Sequence, residues 1–188
     1  LEKLNAFLHN IYYHNISTRH KIPQKCPIFS KTTLKWHIND ARKTISTLSD
    51  KYDLIFLDAF TASKLPTLWT KQFLTKACSL LNKNTGILVS YSCASPFRKV
   101  LVDLNLYVGK FYEKNISTTL ATYNHILVKY KLEEFELGLL NTRAGIPYED
   151  MNLDYNAQKI LENRMLKVQN SNLESTSSYY KRHNKKHG

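Results

Sequence analysis

The sequence predicts an α/β fold, a sheet with helices packed against it, and three observations lead to this prediction. The 188 residues are 43% hydrophobic and 22% charged, a composition that excludes disordered and fibrous proteins. Two short apolar runs, at residues 54–57 and 87–89, are typical of strands covered on both faces of a sheet. Residues 69–81 between them follow helical periodicity, which is typical of a strand–helix–strand unit.

The remaining elements follow from the same patterns. Strands are predicted at apolar or alternating runs, which cover residues 34–38, 54–57, 87–89, 106–112 and 125–131. Helices are predicted where apolar side chains recur every three or four positions, at residues 41–48, 69–81, 96–104 and 154–168. The last two strands are expected to be antiparallel neighbours, and Asp40 is expected to cap the helix that follows it.

These elements divide the chain into three parts. Residues 1–33 form an irregular basic segment, which begins with helical spacing over residues 1–12. Residues 34–150 hold the α/β domain. Residues 151–188 are expected to form a helix followed by a flexible basic tail.

The charge of the chain points to an acidic partner. Lys and Arg number 27 and Asp and Glu number 15, so the formal net charge is +12. Nucleic acid is the partner that such a balance favours most. A second explanation stays open, because Lys, Asn, Ile and Tyr have A/T-rich codons and a biased genome alone would enrich them.

The cysteines and the apolar segments indicate a reducing compartment. Cys26, Cys78 and Cys93 are odd in number and far apart, and no Cys-x-x-Cys is present for a zinc ribbon or a redox pair. No metal site is expected. No apolar run approaches the roughly 18 residues of a membrane span, and the first residues do not form a secretory signal.

Polar residues follow three of the predicted strands. Ligands of open α/β sheets bind beyond the carboxyl ends of the strands, and Asp40, Asp58 and Tyr91 lie at such ends. A pair of carboxylates there suits an exocyclic amine or a proton transfer. The alternative is that Asp40 and Asp58 only cap a helix or a turn.

One stretch of the chain resembles the signature of the MnmC-like methyltransferase domain. Residues 53–70, DLIFLDAFTASKLPTLWT, contain its apolar strand, its Asp-Ala-Phe, its loop with Lys and Pro, and its Leu-Trp. Residues 86–92 with Arg98 are similar to the family's next strand and helix. The Gly-Ile-Pro-Tyr of residues 145–148 is similar to a further family segment. Residues 173–177 resemble the tail of its cyanobacterial and plastid-type members.

This resemblance, over residues 34–180, implies a Rossmann-like class I methyltransferase that uses S-adenosyl-L-methionine. The family's best-known members methylate the aminomethyl group on the wobble uridine of tRNA. Asp40, Ala41 and Phe60 would then bind the cofactor, with the Asp40 carboxylate facing the adenine amino group. Asp58 would be the catalytic residue, lying beside the transferred methyl group and the acceptor amine.

Four more residues are candidate RNA contacts under the resemblance: Lys64, Trp69, Arg98 and Lys99. Trp69 is equally well explained as a core residue, and solvated surface charge is the ordinary explanation for each cation. The implied location is a bacterial cytoplasm or a plastid stroma. The tail with Tyr179, Tyr180 and its basic residues is either an RNA-contacting arm or a solubilising segment.

The main departure from the family pattern is the absence of a Gly-rich cofactor loop. The five glycines, at positions 86, 109, 138, 145 and 188, form no Gly-x-Gly. Together with the first residue, Leu1, this absence suggests a fragment whose sheet lacks the family's first two strands. Two alternatives to an active enzyme follow. One is an inactive or RNA-binding relic, and the other is one component of a tRNA-uridine modification system whose flavin oxidoreductase is fused or separate in relatives.

Overall fold

The computed structural model describes residue 35, residues 37–113 and residues 116–187. The chain divides into two compact units, Leu1–Asp40 and Ala41–Gly188. The predicted helical spacing of residues 1–12, and two positions of the predicted strand 34–38, lie outside the described residues. The other three positions of that strand, Lys35, His37 and Ile38, have no regular secondary structure.

The described strands of the larger unit form one mixed sheet in the order β1-β2-β4-β3-β5. The strands are β1 (Leu54–Phe56), β2 (Ile87–Ser90), β3 (Tyr107–Glu113), β4 (Ile116–Thr122) and β5 (Tyr130–Lys131). β1 and β2 pair in parallel, with Ile55 opposite Leu88, and the other neighbours are antiparallel. The sheet therefore has one parallel edge, where both strands have their carboxyl ends on the same side.

The first three helices of the larger unit alternate with strands, and the last three follow the end of the sheet. They are α1 (Ala41–Thr47), α2 (Lys71–Ser79), α3 (Ser95–Asp103), α4 (Glu134–Leu140), α5 (Ala157–Gln169) and α6 (Thr176–His187). α2 connects β1 to β2, and the Thr70 hydroxyl caps it by accepting a hydrogen bond from the N–H of Phe73. A 3₁₀ turn, Pro66–Trp69, precedes this helix. The helix therefore begins at Lys71, two residues after the predicted start at position 69.

The core lies between α2, α3 and one face of the sheet. Leu74, Leu81, Leu88 and Leu101 are fully buried there. The helical spacing of residues 69–81 predicted this inward face of α2, because side chains three and four positions apart lie on one side of a helix.

The predicted antiparallel pair at the end of the sheet is present, but a strand that was not predicted, β4, also pairs with β3. β3 is the antiparallel neighbour of a strand within residues 125–131, because Gly109 and Lys110 pair with Lys131 and Tyr130. That strand, β5, has only two residues, residues 125–127 form a 3₁₀ turn, and the long hairpin of β3 is made with Ile116–Thr122. The pattern of β4 was missed because it is rich in threonine. Thr119 and Thr122 are nevertheless fully buried, since strands pair with β4 on both sides.

β1 is less covered than the sequence predicts. Within the described residues it is an edge strand, and the side chains of Leu54 and Phe56 are 50% and 71% exposed. Only the alternate residue, Ile55, packs against the core. The prediction of a strand covered on both faces was therefore wrong for this strand in the described part of the chain.

The C-terminal part contains two helices, the second of which lies in the segment predicted as a tail. α5 begins at the Asn156 cap, whose side chain accepts from the N–H of Lys159, and α6 is a second helix of 12 residues. The buried carboxylate of Asp150 ties this part to α1, because it accepts a hydrogen bond from the Arg42 guanidinium at 2.8 Å.

Candidate functional site

A cleft opens at the carboxyl ends of the two parallel strands. Its volume is about 660 Å³. Its lining joins a carboxylate, two exposed aromatic rings, a lysine and several apolar groups: Asp58, Ala59, Phe60, Thr61, Lys64, Leu65, Leu68 and Tyr91. The location agrees with the rule that ligands of α/β sheets bind at this edge, where side chains from successive strands come together.

Asp58 is the carboxylate of this cleft. Pairing of β1 with β2 continues for one residue beyond the strand, because the N–H of Leu57 donates to the carbonyl of Val89 at 2.9 Å. The next residue, Asp58, is exposed, so its carboxylate is open to a ligand. A charged oxygen at the end of a rigid strand can accept a hydrogen bond from an amine or stabilise a developing positive charge.

The loop after Asp58 is held by two aromatic residues that donate to consecutive backbone carbonyls. The Trp69 indole N–H donates to the carbonyl of Phe60 at 2.6 Å, and the Tyr91 hydroxyl donates to the carbonyl of Ala59 at 2.5 Å. The two rings also contact each other edge to face, with centroids 6.3 Å apart. This arrangement, named here the carbonyl clamp, restrains the backbone next to Asp58 from two sides.

The members of the carbonyl clamp differ in their own support. Trp69 is 2% exposed and packs edge to face on Phe97 at 5.2 Å, so it is a core residue whose indole N–H reaches the site from behind. Tyr91 is 44% exposed and lines the cleft. The sequence placed Tyr91 at a strand end but did not predict that its hydroxyl reaches the loop after β1.

Phe60 and Lys64 form the outer part of the cleft. The Phe60 side chain is 76% exposed although its carbonyl is held by Trp69. A turn follows, in which the N–H of Lys64 donates to the carbonyl of Thr61 at 2.9 Å, and the Lys64 side chain is exposed. An exposed ring beside a lysine and a carboxylate can contact a flat, charged ligand.

Ala41 does not line this cleft, and Asp40 belongs to the other compact unit. Asp40 ends the unit of residues 1–40, where its backbone N–H donates to the Asn39 side-chain oxygen at 2.8 Å. Ala41 is the first residue of α1 and packs against the core of the larger unit. The predicted pairing of the Asp40 and Asp58 carboxylates therefore stays a prediction.

Arg98 has a different place from the one the resemblance implied. It is 4% exposed, its Nε donates to the Thr119 hydroxyl at 2.8 Å, and its Nη1 donates to Glu136 at 3.0 Å. A guanidinium that is buried and already ion-paired within the domain is not available to a phosphate. We therefore assign Arg98 to the interior of the domain and not to an RNA contact.

Lys99 also lies away from the Asp58 cleft. It pairs with Asp103 one turn later in α3, and the two residues line a smaller cavity of about 330 Å³ with Asn141 and Pro147. The sequence-predicted site residues thus separate into two groups. Asp58, Phe60 and Lys64 share one cleft, which Trp69 supports from the core, whereas Arg98 and Lys99 belong to other surroundings.

An ion-pair network lies behind the loop that carries Tyr91. The Glu136 carboxylate accepts from Arg98 and, at 2.7 Å, from Lys110, whose side chain is 5% exposed. Thr119 continues the network, because its hydroxyl donates to the carbonyl of Ser92 at 2.6 Å. Hydrogen bonds thus connect α4 to the loop after β2. No pattern in the sequence indicated these partners.

Two features are absent from the described residues. Among them, no three His, Cys, Asp or Glu side chains are grouped closely enough to hold a metal ion. None of the helices described here has both the length and the apolar character needed to cross a membrane.

Comparison with known proteins gives one family and two relatives. Residues 2–124 match the model of a family described as S-adenosyl-L-methionine-dependent methyltransferase. An uncharacterized protein of Methanocaldococcus jannaschii is 33% identical over 131 residues, which are 68% of this chain and 36% of that protein. The crystal structure of MNMC2 from Aquifex aeolicus is similar with a TM-score of 0.72 and 30% identity. It covers 86% of this chain and 50% of the Aquifex chain. The present chain therefore spans half or less of the length of these relatives.

Proposed function

Because the chain belongs to the family of S-adenosyl-L-methionine-dependent methyltransferases, we propose that it takes part in methyl transfer to an aminomethyl group on the wobble uridine of tRNA. The observation that carries this proposal is the exposed Asp58 carboxylate at the end of a parallel strand, in a cleft with Phe60 and Tyr91. A carboxylate suits a site for amine alkylation, since positive charge develops on the nitrogen as it is methylated.

The residues of the cleft fit the reacting end of the cofactor. S-adenosyl-L-methionine is a sulfonium cation that supplies an electrophilic methyl group when it is bound. An exposed aromatic ring, Phe60, and a carboxylate, Asp58, suit a cation of this kind. Asp40 and Ala41 are proposed to meet the adenine, on the strength of the family resemblance. No Gly-x-Gly is present in the sequence for the amino-acid end, so no residue of this chain is assigned to that end.

Asp58 is proposed to act on the acceptor. Its carboxylate orients the amine by accepting a hydrogen bond and stabilises the ammonium that forms, whose surplus proton it can take up. The carbonyl clamp supports this role, because Trp69 and Tyr91 hold the two residues that follow Asp58. Lys64, exposed at the outer part of the same cleft, is proposed to meet a phosphate of the RNA.

The compartment is part of the proposal. Cys78 and Cys93 are both free thiols, which supports a reducing environment such as a bacterial cytoplasm or a plastid stroma.

A second candidate function is RNA binding without catalysis. Two observations favour it, the net charge of +12 and the absence of a Gly-x-Gly from the whole sequence. Under this alternative the Asp58 cleft is inherited but unused. A flavin oxidoreductase that acts on the same uridine side chain would reside in another chain.

Calorimetry with S-adenosylhomocysteine separates the two candidates. Titration into the 188-residue chain is expected to show micromolar binding if the cofactor site is functional. Binding that is absent at millimolar concentrations would leave the RNA-binding candidate and contradict methyl transfer by this chain. An Asp58→Asn variant is expected to retain the affinity of the wild type, because S-adenosylhomocysteine lacks the sulfonium charge that the carboxylate would face and Asp58 is assigned to the acceptor.

Transfer of a radiolabelled methyl group into tRNA that carries 5-aminomethyl-2-thiouridine tests the role of Asp58. The Asp58→Asn variant is expected to lose methyl transfer, because a neutral amide stabilises the developing ammonium far less than a carboxylate does. Asp50→Asn, which changes an exposed aspartate ahead of β1, is the matched control and should keep full activity. Activity of Asp58→Asn within about tenfold of the wild type would show that the assigned role is wrong.

A further inference from the structure

The last helix, α6, is basic over its second half. Its sequence, TSSYYKRHNKKH, contains four Lys or Arg residues and no acidic residue. Cations near a helix C-terminus stabilise the helix by roughly 0.3–1 kcal/mol each, which is one ordinary reason for their presence. The manner in which α6 is attached to the domain shows that helix stability is not the whole explanation.

Aromatic side chains pack α6 against α4, and the contact of Phe135 with Tyr179, Tyr180 and His183 is named here the seat of α6. The Phe135 ring lies 5.3 Å from the Tyr179 ring, 5.0 Å from the Tyr180 ring and 4.6 Å from the His183 ring. Tyr179 is 7% exposed, and its hydroxyl donates to the carbonyl of Phe135 at 3.1 Å. A segment that only adds solubility does not need a buried, hydrogen-bonded tyrosine.

Gly138 makes this close seat possible. A Cβ atom at position 138 would stand 1.9 Å from the Tyr179 hydroxyl oxygen and 2.6 Å from its ring carbon. Any larger residue would therefore displace Tyr179. Because glycine is otherwise unfavourable inside a helix by roughly 0.5–1 kcal/mol relative to alanine, its presence in α4 is explained by the seat of α6.

The seat determines which side of α6 faces outward. Tyr179 and His183 are four positions apart and share the side that contacts Phe135. Lys181 follows Tyr179 by two positions, about 200° around the helix, and is exposed on the opposite side. The backbone position of Lys185, two residues after His183, falls in the same row of the helix. Arg182 is partly neutralised, since it pairs with Glu174 at 2.7 Å.

The seat also connects α6 to the candidate site through contacts. Phe135 is next to Glu136 in α4, and Glu136 pairs with Arg98. Arg98 donates to Thr119, which donates to the carbonyl of Ser92, the residue after Tyr91 in the cleft. The basic helix therefore belongs to the same compact unit as the cleft and is connected to it by these contacts.

We propose that the outward side of α6, around Lys181 and Lys185, is a binding surface for the phosphate backbone of RNA. The choice of RNA over other polyanions rests on the proposed function, in which tRNA is the substrate. Lysines spaced one helical turn apart can contact successive phosphates without reading bases. The surface then holds the RNA body while the Asp58 cleft takes the modified nucleotide.

Fluorescence anisotropy of the full chain with a labelled, unmodified tRNA tests this surface without any cofactor. The Lys181→Glu, Lys185→Glu double variant is expected to bind at least tenfold more weakly at 100 mM salt. The slope of log K against log salt should fall by about 1.5, because two phosphate contacts are lost. The matched control is Lys43→Glu, Lys76→Glu, which makes the same charge change at exposed positions of α1 and α2.

A loss of affinity of the same size in both double variants would overturn the proposal, because the attraction would then come from net charge alone. Wild-type chain that binds S-adenosylhomocysteine but no tRNA would also overturn it, and would leave methyl transfer to its own test. Binding to vesicles with 30% phosphatidylserine, lost in the α6 variant while tRNA binding is unchanged, would overturn it in favour of a membrane surface.

The Gly138→Ala variant separates the seat from the charge. This variant keeps every Lys and Arg of α6, and alanine has a higher helix propensity than glycine within α4. The added methyl group, however, displaces Tyr179. The expected result is faster proteolysis within α6 together with RNA affinity reduced about threefold or more, since the freed helix loses its orientation. Undocked α6 with unchanged affinity would show that the seat is not part of the RNA-binding surface.

Discussion

Replacement of Glu136 by glutamine is expected to destabilise the protein strongly, although the side chain keeps its shape. The Glu136 carboxylate accepts from Arg98 at 3.0 Å, from Lys110 at 2.7 Å and from the N–H of Glu133 at 2.9 Å. A glutamine amide offers one oxygen and turns its NH₂ group toward one of these donors. Two buried cations would then share a neutral partner.

The size of the effect follows from burial. The Arg98 and Lys110 side chains are each only 5% exposed, and removing one member of a buried ion pair costs about 3–5 kcal/mol. Glu136 is 22% exposed, and Lys110 keeps its contact to Glu133 at 2.8 Å. The loss of stability is therefore expected at the low end of this range. We expect the free energy of unfolding to fall by about 3 kcal/mol.

Urea unfolding at pH 7, followed by far-UV circular dichroism, measures this loss. The m-value should be unchanged and the midpoint should fall by about 1.5 M, for an m-value of about 2 kcal/mol/M. Glu134→Gln is the control, since Glu134 is exposed in the first turn of the same helix and its loss costs about 0.3–1 kcal/mol. A loss below 1 kcal/mol for Glu136→Gln, or one equal to the control, would refute the reasoning.

The pH dependence of the same variant provides an internal check. Burial raises the pKa of the Glu136 carboxyl, but hydrogen bonds from the Glu133 N–H, Lys110 and Arg98 outweigh burial and hold the pKa below its usual 4.5. A group with a lowered folded-state pKa stabilises the protein above its unfolded pKa and loses that effect as the pH falls through its folded pKa. The difference between wild type and Glu136→Gln should therefore shrink below about pH 4.5.

Three other predictions concern the clamp, the C-terminal part and the thiols. Tyr91→Phe removes the hydrogen bond to Ala59, worth about 0.5–1.5 kcal/mol, so amides of residues 61–65 should exchange with deuterium about 2–10 times faster; unchanged exchange would contradict the clamp. Asp150→Asn removes the buried carboxylate that pairs with Arg42 and should lower stability by about 3 kcal/mol, whereas the exposed Asp154→Asn should cost under 0.5 kcal/mol in the same thermal scan. Equal losses of stability in the two variants would show that the Arg42–Asp150 ion pair does not stabilise the protein. Burial raises the pKa of the Cys78 thiol to about 12, so in a Cys26→Ser chain at pH 8 only Cys93 should react with Ellman's reagent until the protein unfolds, and two reactive thiols in the native state would refute this.

Local patterns in the sequence predicted the parallel part of the fold and the carboxylate at the end of β1. The runs at residues 54–57 and 87–89 formed β1 and β2, and the helical spacing of residues 69–81 identified the buried face of α2. These predictions were confirmed because apolar periodicity is read over a few neighbouring residues. The motif around Asp58 indicated the family, which the match over residues 2–124 confirms.

Long-range pairing was decided only in the tertiary structure. β4 was not predicted, because its threonines are buried through pairing with strands on both sides and not through their own hydrophobicity. The prediction of an RNA contact at Arg98 changed for a similar reason. Its partners, Thr119 and Glu136, are 21 and 38 positions away in the sequence, and only the fold brings them to the guanidinium.

The sequence by itself therefore determined the type of sheet, the helix faces, the family and the carboxylate at the end of β1. The tertiary structure decided which groups support that carboxylate and how the last helix is held. Tyr91 reaches Ala59 across 32 positions, and Tyr179 reaches Phe135 across 44. Hydrophobic periodicity is a local property of the chain, whereas a hydrogen bond between distant residues depends on the register and packing of the elements that carry them.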